Sequence, residues 1–463
     1  MSGIFSGLEI GKRALLSHQY TLSTIGHNIA NANTPGYSRQ RVNLTSALPL
    51  ANTIGVFGTG VKVADVRHIR DAFLTNQYRE GSSSSGRWNE LQRALDEVEN
   101  TFLEPAQNGF NAALNEFFAA WHTLSQNPES SAGRAAVREQ ATLVTNTFHD
   151  LSARLDNLQR SLDSEVNGRV QKINQIAADL SEINLQIGRQ ELGGTMANDL
   201  RDRRDYLVDE LSKYVNVNVL EENSGITRIF IGTMELVEKD HYTPLATNTS
   251  TLNGMINTKI VWKGTNNELQ FTGGELSGLV EARDKLLPSY RETLDQLASA
   301  FVTEVNNLHT TGYGLDGTTG NAFFDPSGLT ADTIRVDIGV QNDLNKIAAS
   351  QSGGPGDNAN SVALADLQNA LVMNNGTSTL NEFYAQLVGT VGVRSSEATD
   401  AMNNAQLVLE QVDFSRQSVQ GVSLDEEMAD LIKAQHAYDA AARVINALDS
   451  ALNTLINDMG VGF

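Results

Sequence analysis

Several residue types that build common functional sites are scarce or missing in this chain of 463 residues. It has no cysteine, which excludes disulfides, thiolate metal sites and cysteine nucleophiles. No apolar run approaches the ~20 residues of a membrane span, and the N-terminal region lacks the continuous apolar segment of a cleavable signal peptide. Lysine and arginine total 34 against 55 acidic residues, a formal net charge of -21. We therefore expect neither nucleic acid nor a membrane as a partner.

Recognisable catalytic and metal-binding patterns are also missing. The eight histidines lie far apart, without an HExxH motif or a pair three or four residues apart. Residues 312–317 match GxGxxG by letter, but they follow no apolar strand and open no helix, which indicates a glycine-rich turn. Acidic residues such as Asp425 lie where a helix N-terminus already favours negative charge. We expect no catalytic residue, no metal site and no cofactor.

An apolar heptad seam opens the chain. Leu8, Leu15, Leu22 and Ile29 recur every seven residues with Ile25 interleaved, which predicts a helix that buries one stripe against a partner. That helix must end within residues 28–37, where asparagines compete for backbone hydrogen bonds and a Pro-Gly pair favours a turn. The turn residues that we predict to belong to an assembly interface are Asn31, Pro35, Gly36 and Tyr37.

A second heptad seam closes the chain. Apolar residues are spaced by seven, and Met428, Ala442 and Ile456 occupy the positions expected between them. The seam consists of Leu424, Leu431, Tyr438, Ile445, Leu452 and Met459.

The two ends also carry opposite charge. Residues 1–45 hold four basic residues against one acid, a net +3, whereas residues 421–463 hold seven acids against two bases, a net -5. Exposed ion pairs add only ~0–1 kcal/mol each. The opposite charges of the two ends should therefore select the correct partner helix more than they stabilise the helix pair. The seams predict intramolecular packing of three residues of the first helix on four of the last, with outer faces left for adjacent subunits. These residues are Leu15, Leu22 and Ile29, with Leu431, Tyr438, Ile445 and Leu452.

The middle of the chain is predicted to be helical with one β insertion. Apolar residues repeat by seven across residues 134–187, which predicts one helix on the order of 80 Å long and an elongated molecule. A return helix is predicted over 199–214, and alternating strands over 215–275. Further helices are predicted over 275–309, 362–373 and 380–418, with a candidate kink at Pro288 and a strand-like segment over 334–338. The Gly/Ser run 81–86 is either a flexible linker or the weak middle of a helix.

The fold class that follows is mainly α with inserted β, in an elongated multi-domain chain. Residues 1–45 and 421–463 are predicted to form a terminal domain whose helices pair as a coiled coil. Residues 46–214 and 276–420 are predicted to form a long-helix bundle domain with short β segments. Residues 215–275 are predicted to form a small β-rich outer domain.

Both ends of the chain resemble the bacterial flagellar axial proteins. Residues 28–40 read Asn-Ile-Ala-Asn-Ala-Asn-Thr-Pro-Gly-Tyr-Ser-Arg-Gln. Rod and hook proteins share the Asn-Ile-Ala-Asn core, whereas the Pro-Gly-Tyr-Ser-Arg-Gln continuation is most similar to the flagellar hook-associated protein 1 family of the hook-filament junction. Residues 421–428, Gly-Val-Ser-Leu-Asp-Glu-Glu-Met, resemble the same family.

The resemblance implies a structural protein that is not an enzyme and that self-assembles into a helix or ring. Its implied partners are copies of itself, the hook protein, the other junction protein and the flagellin side of the filament. It also implies an export chaperone and the flagellar type III export apparatus, and a location in the extracellular flagellum without a cleavable signal peptide.

Other functions stay open at the level of sequence. Within the flagellum, a hook or rod axial protein is the alternative. Outside it, a secreted adhesin or surface ligand would use the β insertion to bind a host surface. An enzyme with its site in that insertion is a third possibility, although no motif supports it.

Overall fold

The structure, a computed structural model, describes residues 2–52, 55–102, 109–222, 225–252, 255–265, 267–454 and 456. In chain order its helices are α1 (Ser2–Asn31), α2 (Ala72–Phe102), α3 (Phe110–Gln126), α4 (Ser131–Glu191), α5 (Asn198–Tyr214), α6 (Glu275–Glu281), α7 (Leu287–His309), α8 (Ile338–Asn342), α9 (Ala359–Asp366), α10 (Leu380–Gln420) and α11 (Leu424–Asn453). The strands are β1 (Gln40–Ser46), β2 (Leu50–Asn52), β3 (Gly55–Phe57), β4 (Val61–His68), β5 (Asn218–Glu221), β6 (Thr227–Ile231), β7 (Met234–Glu238), β8 (His241–Tyr242), β9 (Leu245–Leu252) and β10 (Met255–Trp262). The prediction of a mainly helical chain with inserted strands is confirmed.

The strands form small antiparallel sheets. β1 pairs with β4, β2 with β3, and β9 with β10, and β5 to β8 form a four-stranded sheet in sequence order. Consecutive strands pair in local hairpins, except in the β1–β4 sheet, whose two strands flank the β2–β3 hairpin in the sequence. The β1–β4 pair lies directly after α1, beside the terminal helices.

Helix α4 confirms the prediction of one long helix. It contains 61 residues, and the Ser130 side chain caps its N-terminus by accepting a hydrogen bond from the Gly133 amide. The residues at the predicted heptad positions from Val137 to Ile187 are buried. Gly194 then adopts a φ of 77°, which allows the chain to turn back into α5. At 1.5 Å per residue, α4 alone spans roughly 90 Å.

One hydrophobic core joins the helices and the β insertion. Its aromatic centre includes Phe117, Trp121 and Phe301, each at most 1% exposed. Ile229 and Trp262 of the strands belong to the same core, and Leu245 is fixed to α4 by hydrogen bonds with the Asn174 side chain. The strands therefore pack on the helices through a shared core, and an independent domain at residues 215–275 stays a prediction.

Of the two interpretations of residues 81–86, the flexible linker is wrong and the continuous helix is confirmed. Helix α2 continues through this Gly/Ser run, and Ser82 and Ser83 are buried. A Cβ atom added at Gly86 would lie 2.5 Å from the Lys213 carbonyl oxygen, and one at Gly273 would lie 2.4 Å from Ser83 Oγ. The small residues permit close approach of neighbouring segments, a packing role that composition alone does not distinguish from flexibility.

Three local predictions also need correction. Residues 334–338 form no strand, because only an isolated bridge joins Phe324 to Val336 and Ile338 begins α8. The helix predicted over 362–373 ends at Asp366 and continues as a 3-10 turn. The irregularity near Pro288 is a π-helical turn at Ala282–Leu286, after which the proline occupies the first turn of α7, where its missing N–H is tolerated.

Candidate assembly interface

The terminal helices α1 and α11 pack side by side and run in opposite directions. A Cβ atom added at Gly7 would lie 3.2 Å from Leu448, and one at Gly11 would lie 2.8 Å from Ile445. At the other end of α1, Asn28 donates a hydrogen bond to Glu427 at 3.0 Å. Residue numbers in contact decrease along α11 as they increase along α1, so the two helices are antiparallel.

The residues of the predicted α1 seam are buried to different degrees. Ile25 is buried at 6% exposure. The heptad residues Leu8, Leu15, Leu22 and Ile29 are half-buried. The first helix therefore retains apolar surface beyond what α11 covers.

On α11, the most deeply buried positions are small or charged. Glu427, Ala434 and Ala441 are buried and are themselves seven residues apart. The predicted seam residues Leu431, Tyr438, Ile445 and Leu452 are half-buried. Leu424 is 51% exposed, and Met459 lies outside the described residues.

Of the predicted interleaved positions, Met428 and Ile456 are exposed in this subunit and Ala442 is half-buried, so the interleaved seam stays a prediction. The buried positions of α11 are instead Glu427, Ala434 and Ala441, each three residues after a residue of the predicted seam. The register set by Gly11 and Asn28 places Leu15 level with Ala441 and Leu22 level with Ala434. The packing of leucine on leucine, and the coiled-coil geometry, stay predictions.

Asn28 ties the end of α1 to the turn and to α11. Its side chain is 1% exposed. Its Oδ1 accepts hydrogen bonds from Tyr37 Oη at 2.7 Å and from the Gln40 amide at 2.9 Å. Its Nδ2 donates to the Gln40 carbonyl oxygen at 2.9 Å and to Glu427 at 3.0 Å. One amide side chain thus satisfies the backbone of β1, the Tyr37 hydroxyl and a buried carboxylate.

The turn after α1 is held from both sides. Asn31 Nδ2 donates to the His27 carbonyl oxygen at 3.0 Å, and Pro35 lies exposed at the outer edge. Gly36 has a φ of 79°, and a Cβ atom there would lie 2.7 Å from Tyr206 Cβ, so glycine is required by both conformation and space. Burial, with the nearby Asp199, raises the pKa of Tyr37 and keeps its hydroxyl protonated as a donor.

An acidic row on α5 receives this turn, and the sequence analysis missed it. Asp199 accepts from Gln40 Nε2 at 2.7 Å, and Asp202 accepts from the Ser38 amide at 3.0 Å and contacts His68 Nδ1 at 2.8 Å. The remaining pairs are those of Asp205 with Arg70 and of Asp209 with Arg79 and Arg416. The signal that could have found this row is the spacing of its aspartates by three and four, which places them on one face of a helix.

One ion pair crosses between the two ends of the chain in the predicted sense. Arg39 Nη1 lies 2.6 Å from Glu426, and the Arg39 amide donates to the Gln420 carbonyl oxygen at 2.9 Å. The segment after α1 is thereby joined to the α10–α11 connection. The terminal helices, the turn and α5 form one contiguous structure.

Among the described residues, no group of three or more histidine, aspartate or glutamate side chains is arranged to hold a metal ion. None of the described helices is both long and apolar enough to span a bilayer.

The terminal helices and the helical bundle both match models of known protein families. The family model described as the helical domain of the flagellar hook-associated protein FlgK matches residues 95–324. Models of the flagellar basal body rod protein and of the C-terminal region of the rod FlgEFG proteins match residues 8–37 and 417–458. The two rod matches fall on α1 and α11, and the FlgK match falls on the helical bundle and the β insertion.

Whole proteins agree with these matches. The flagellar hook-associated protein 1 of Bacillus subtilis is 33% identical over 505 positions, covering 100% of both chains. That of Salmonella typhimurium is 28% identical and covers 95% of this chain and 97% of its own. The structure of the flagellar hook junction protein FlgK from Burkholderia pseudomallei is similar in fold, with a TM-score of 0.68 and 16% identity over 74% of this chain and 100% of that one. The chain therefore belongs to the flagellar hook-associated protein 1 family, the structural proteins of the flagellar hook-filament junction.

Proposed function

We propose that this chain joins hook to filament by self-assembly through its paired terminal helices. The observation that carries this proposal is the apolar surface left uncovered on both helices. Leu16 and Tyr20 of α1 are 43% and 58% exposed, and Met428, Ile432 and Val444 of α11 are 49% to 51% exposed. Apolar side chains gathered on paired helices in this way are typical of a protein–protein contact surface.

In this proposal, α1 and α11 become ordered when the subunit assembles with its neighbours. In the described part of α11 only three residues are buried, whereas α4 buries residues along its entire length. A helix of this kind gains most of its stability from packing on a partner. The terminal helices are therefore the most easily opened part of the free subunit, and they become fixed when neighbouring subunits cover them.

The family and the exposed apolar surface of the terminal helices support the proposed partners. They are other copies of this chain, the hook protein on one side and, on the other, the second junction protein and the flagellin side of the filament. Before assembly a flagellar chaperone covers the C-terminal helix, and the type III apparatus exports the chain to the extracellular flagellum without a cleavable signal. The chain acts as a structural protein and not as an enzyme.

A deletion strain tests the role directly. Cells lacking this chain should build hooks and release flagellin into the medium, and expression of the intact chain should restore filaments. A hook or rod protein would instead leave no completed hook. The second result would contradict the junction role.

A matched pair of variants tests the part played by the terminal helices. Leu22→Asp places a charge on the half-buried face of α1, and Gln19→Asp places the same charge on an exposed position of the same helix. Leu22→Asp should abolish filament attachment and leave the thermal unfolding of the bundle unchanged, whereas Gln19→Asp should retain motility. Normal filaments with Leu22→Asp would refute the proposal.

A further inference from the structure

An open groove with apolar and polar lining lies between α1, the strands that follow it and the α4–α5 turn. Its volume is about 830 Å³. The exposed apolar side chains that line it are 41% to 84% exposed, and they are Leu16, Tyr20, Leu48, Leu50 and Met196. Val56 and Phe57 extend this surface along the β2–β3 ribbon, at 72% and 51% exposure. A two-stranded ribbon is marginally stable alone, so a surface of this kind needs a cover.

We propose that the first turns of α11 from a second copy of this chain dock in this groove, in a head-to-tail contact. The proposal rests on the proposed function and names the contact by which copies join. The segment that would dock is the stripe formed by Leu424, Met428 and Ile432, which are 51%, 49% and 51% exposed. Their spacing of four residues places them along one side of the helix.

The stripe and the groove match in length. Leu424 to Ile432 spans about 12 Å of helix, and the α1 wall of the groove, Arg13 to Tyr20, spans about 10 Å. Within one copy they do not meet, because no stripe residue lines the groove. The Asn28–Glu427 contact places the stripe beside the C-terminal end of α1, beyond Tyr20. The stripe is therefore free to enter the groove of a neighbour.

Charge complements the apolar match. The groove presents Lys62, for which the described residues provide no ion-pair partner, and Arg13, which pairs with Glu9 at 3.1 Å. The carboxylate of the groove, Asp65, is already bound by Asn43 at 2.6 Å and by Arg67 at 2.8 Å. The stripe carries an acid at its edge, because Asp425 lies beside Leu424 on the same side of α11 by helical spacing. A basic groove edge thus meets an acidic helix edge.

The geometry determines what kind of assembly can form. A stripe on one copy and a groove on the next are two different surfaces, so the contact is heterologous. Heterologous contacts extend into rings or helices, whereas a contact of one surface with itself stops at a dimer. A subunit of a tubular junction requires the first kind.

The absence of cysteine from the chain permits a direct test by crosslinking in assembled flagella. Leu16→Cys and Met428→Cys in one chain should give, on oxidation, a disulfide-linked ladder of dimers, trimers and larger species. Either variant alone should give monomers. Ala429→Cys, one residue along the exposed surface and about 100° around the helix, replaces Met428→Cys in the matched control and should give no ladder. Tyr20→Cys with Met428→Cys provides a second pair if the first pair fails to fold.

The possible results of the crosslinking experiment distinguish failure of the proposed contact from failure of the proposed function. Junctions seen by electron microscopy without a ladder from either pair would overturn this contact while leaving the proposed function intact. A dimer from Met428→Cys alone would show the stripe meeting itself and would also overturn the contact. Failure of the intact chain to restore junctions would instead refute the proposed function. Lys62→Glu should lower the crosslink yield roughly fivefold, the size of one favourable surface ion pair, and Asp425→Lys should restore it.

Discussion

Replacing Asp209 with asparagine should loosen the place where α2, α5 and α10 meet. Asp209 is 7% exposed. One of its oxygens accepts from Arg79 Nε at 2.7 Å and the other from Arg416 Nη1 at 2.6 Å. The substitution keeps the shape of the side chain but removes the charge that two largely buried guanidinium groups share, and it turns an amide NH₂ toward one of them.

The size of the stability loss depends on the ion-pair partners that Arg79 and Arg416 retain in the variant. Breaking a buried ion pair by removing one partner costs about 3–5 kcal/mol, because the other charge stays buried. Here Arg416 keeps Asp413 at 3.1 Å, and Arg79 keeps Asp205 at 3.8 Å. These remaining partners move the expected loss in the free energy of unfolding to the lower end, about 3 kcal/mol.

Urea titration of the purified chain, followed by far-ultraviolet circular dichroism, measures this loss. For a slope of about 3 kcal/mol per molar urea, the midpoint of helix loss should fall by roughly 1 M. Asp413→Asn is the matched control. Its side chain is 30% exposed and contacts Arg416 one turn away on the same helix, so it should cost at most about 1 kcal/mol. Equal losses from the two variants would refute the assignment of Asp209 as the central acceptor.

Three further predictions concern buried contacts elsewhere. Asn28→Ala removes four hydrogen bonds and leaves the Glu427 carboxylate buried, so assembled junctions should dissociate at a lower temperature. The control Asn31→Ala should lower the dissociation temperature much less. Equal shifts from the two variants would contradict this prediction. Gly86→Ala should destabilise the chain by about 1–3 kcal/mol through overpacking, whereas Gly168→Ala, with open space around it, should stabilise it by roughly 0.5–1 kcal/mol, as measured by urea unfolding. Burial lowers the pKa of His309 from 6.5 to about 4, so the stability contributed by its neutral ring is complete above pH 6.5 and is lost as the pH falls toward 4. The loss is about 3 kcal/mol, and the His309→Gln variant should show a smaller loss of stability on acidification between those pH values.

The long elements were predictable from sequence because each has a repeating signal. The apolar heptads from Val137 to Ile187 specify α4 without any knowledge of its neighbours, and Gly193 and Gly194 mark where it ends. The terminal seams likewise predicted α1 and α11. Tertiary packing is not needed to read such periodicity.

Some packing features were not predictable from the sequence, because they depend on how closely neighbouring helices and loops approach one another. Ala434 and Ala441 look unremarkable beside Leu424, yet they are buried together with Glu427, whereas Leu424 is exposed. Ser82 and Ser83 resemble a linker, yet they are buried as well. Neither feature can be read from hydrophobicity, since the size of a buried side chain is set by its neighbour.

The acidic row on α5 shows a second limit. Asp202 and Asp209 are charged residues on a short helix, which usually indicates a solvated face. Their partners lie as far away in sequence as Ser38 and Arg416. Only the fold brings these residues together, so the joint between the terminal turn and the bundle becomes visible only in the structure.

Hydrogen exchange of the terminal helices, measured on the free subunit and on assembled junctions, shows whether assembly orders these helices. We predict that amides of α1 and α11 exchange fast in the free subunit and slow by more than about tenfold on assembly. Amides of α4 should be protected equally in both states. Terminal helices already as protected as α4 in the free subunit, with no change on assembly, would contradict this prediction.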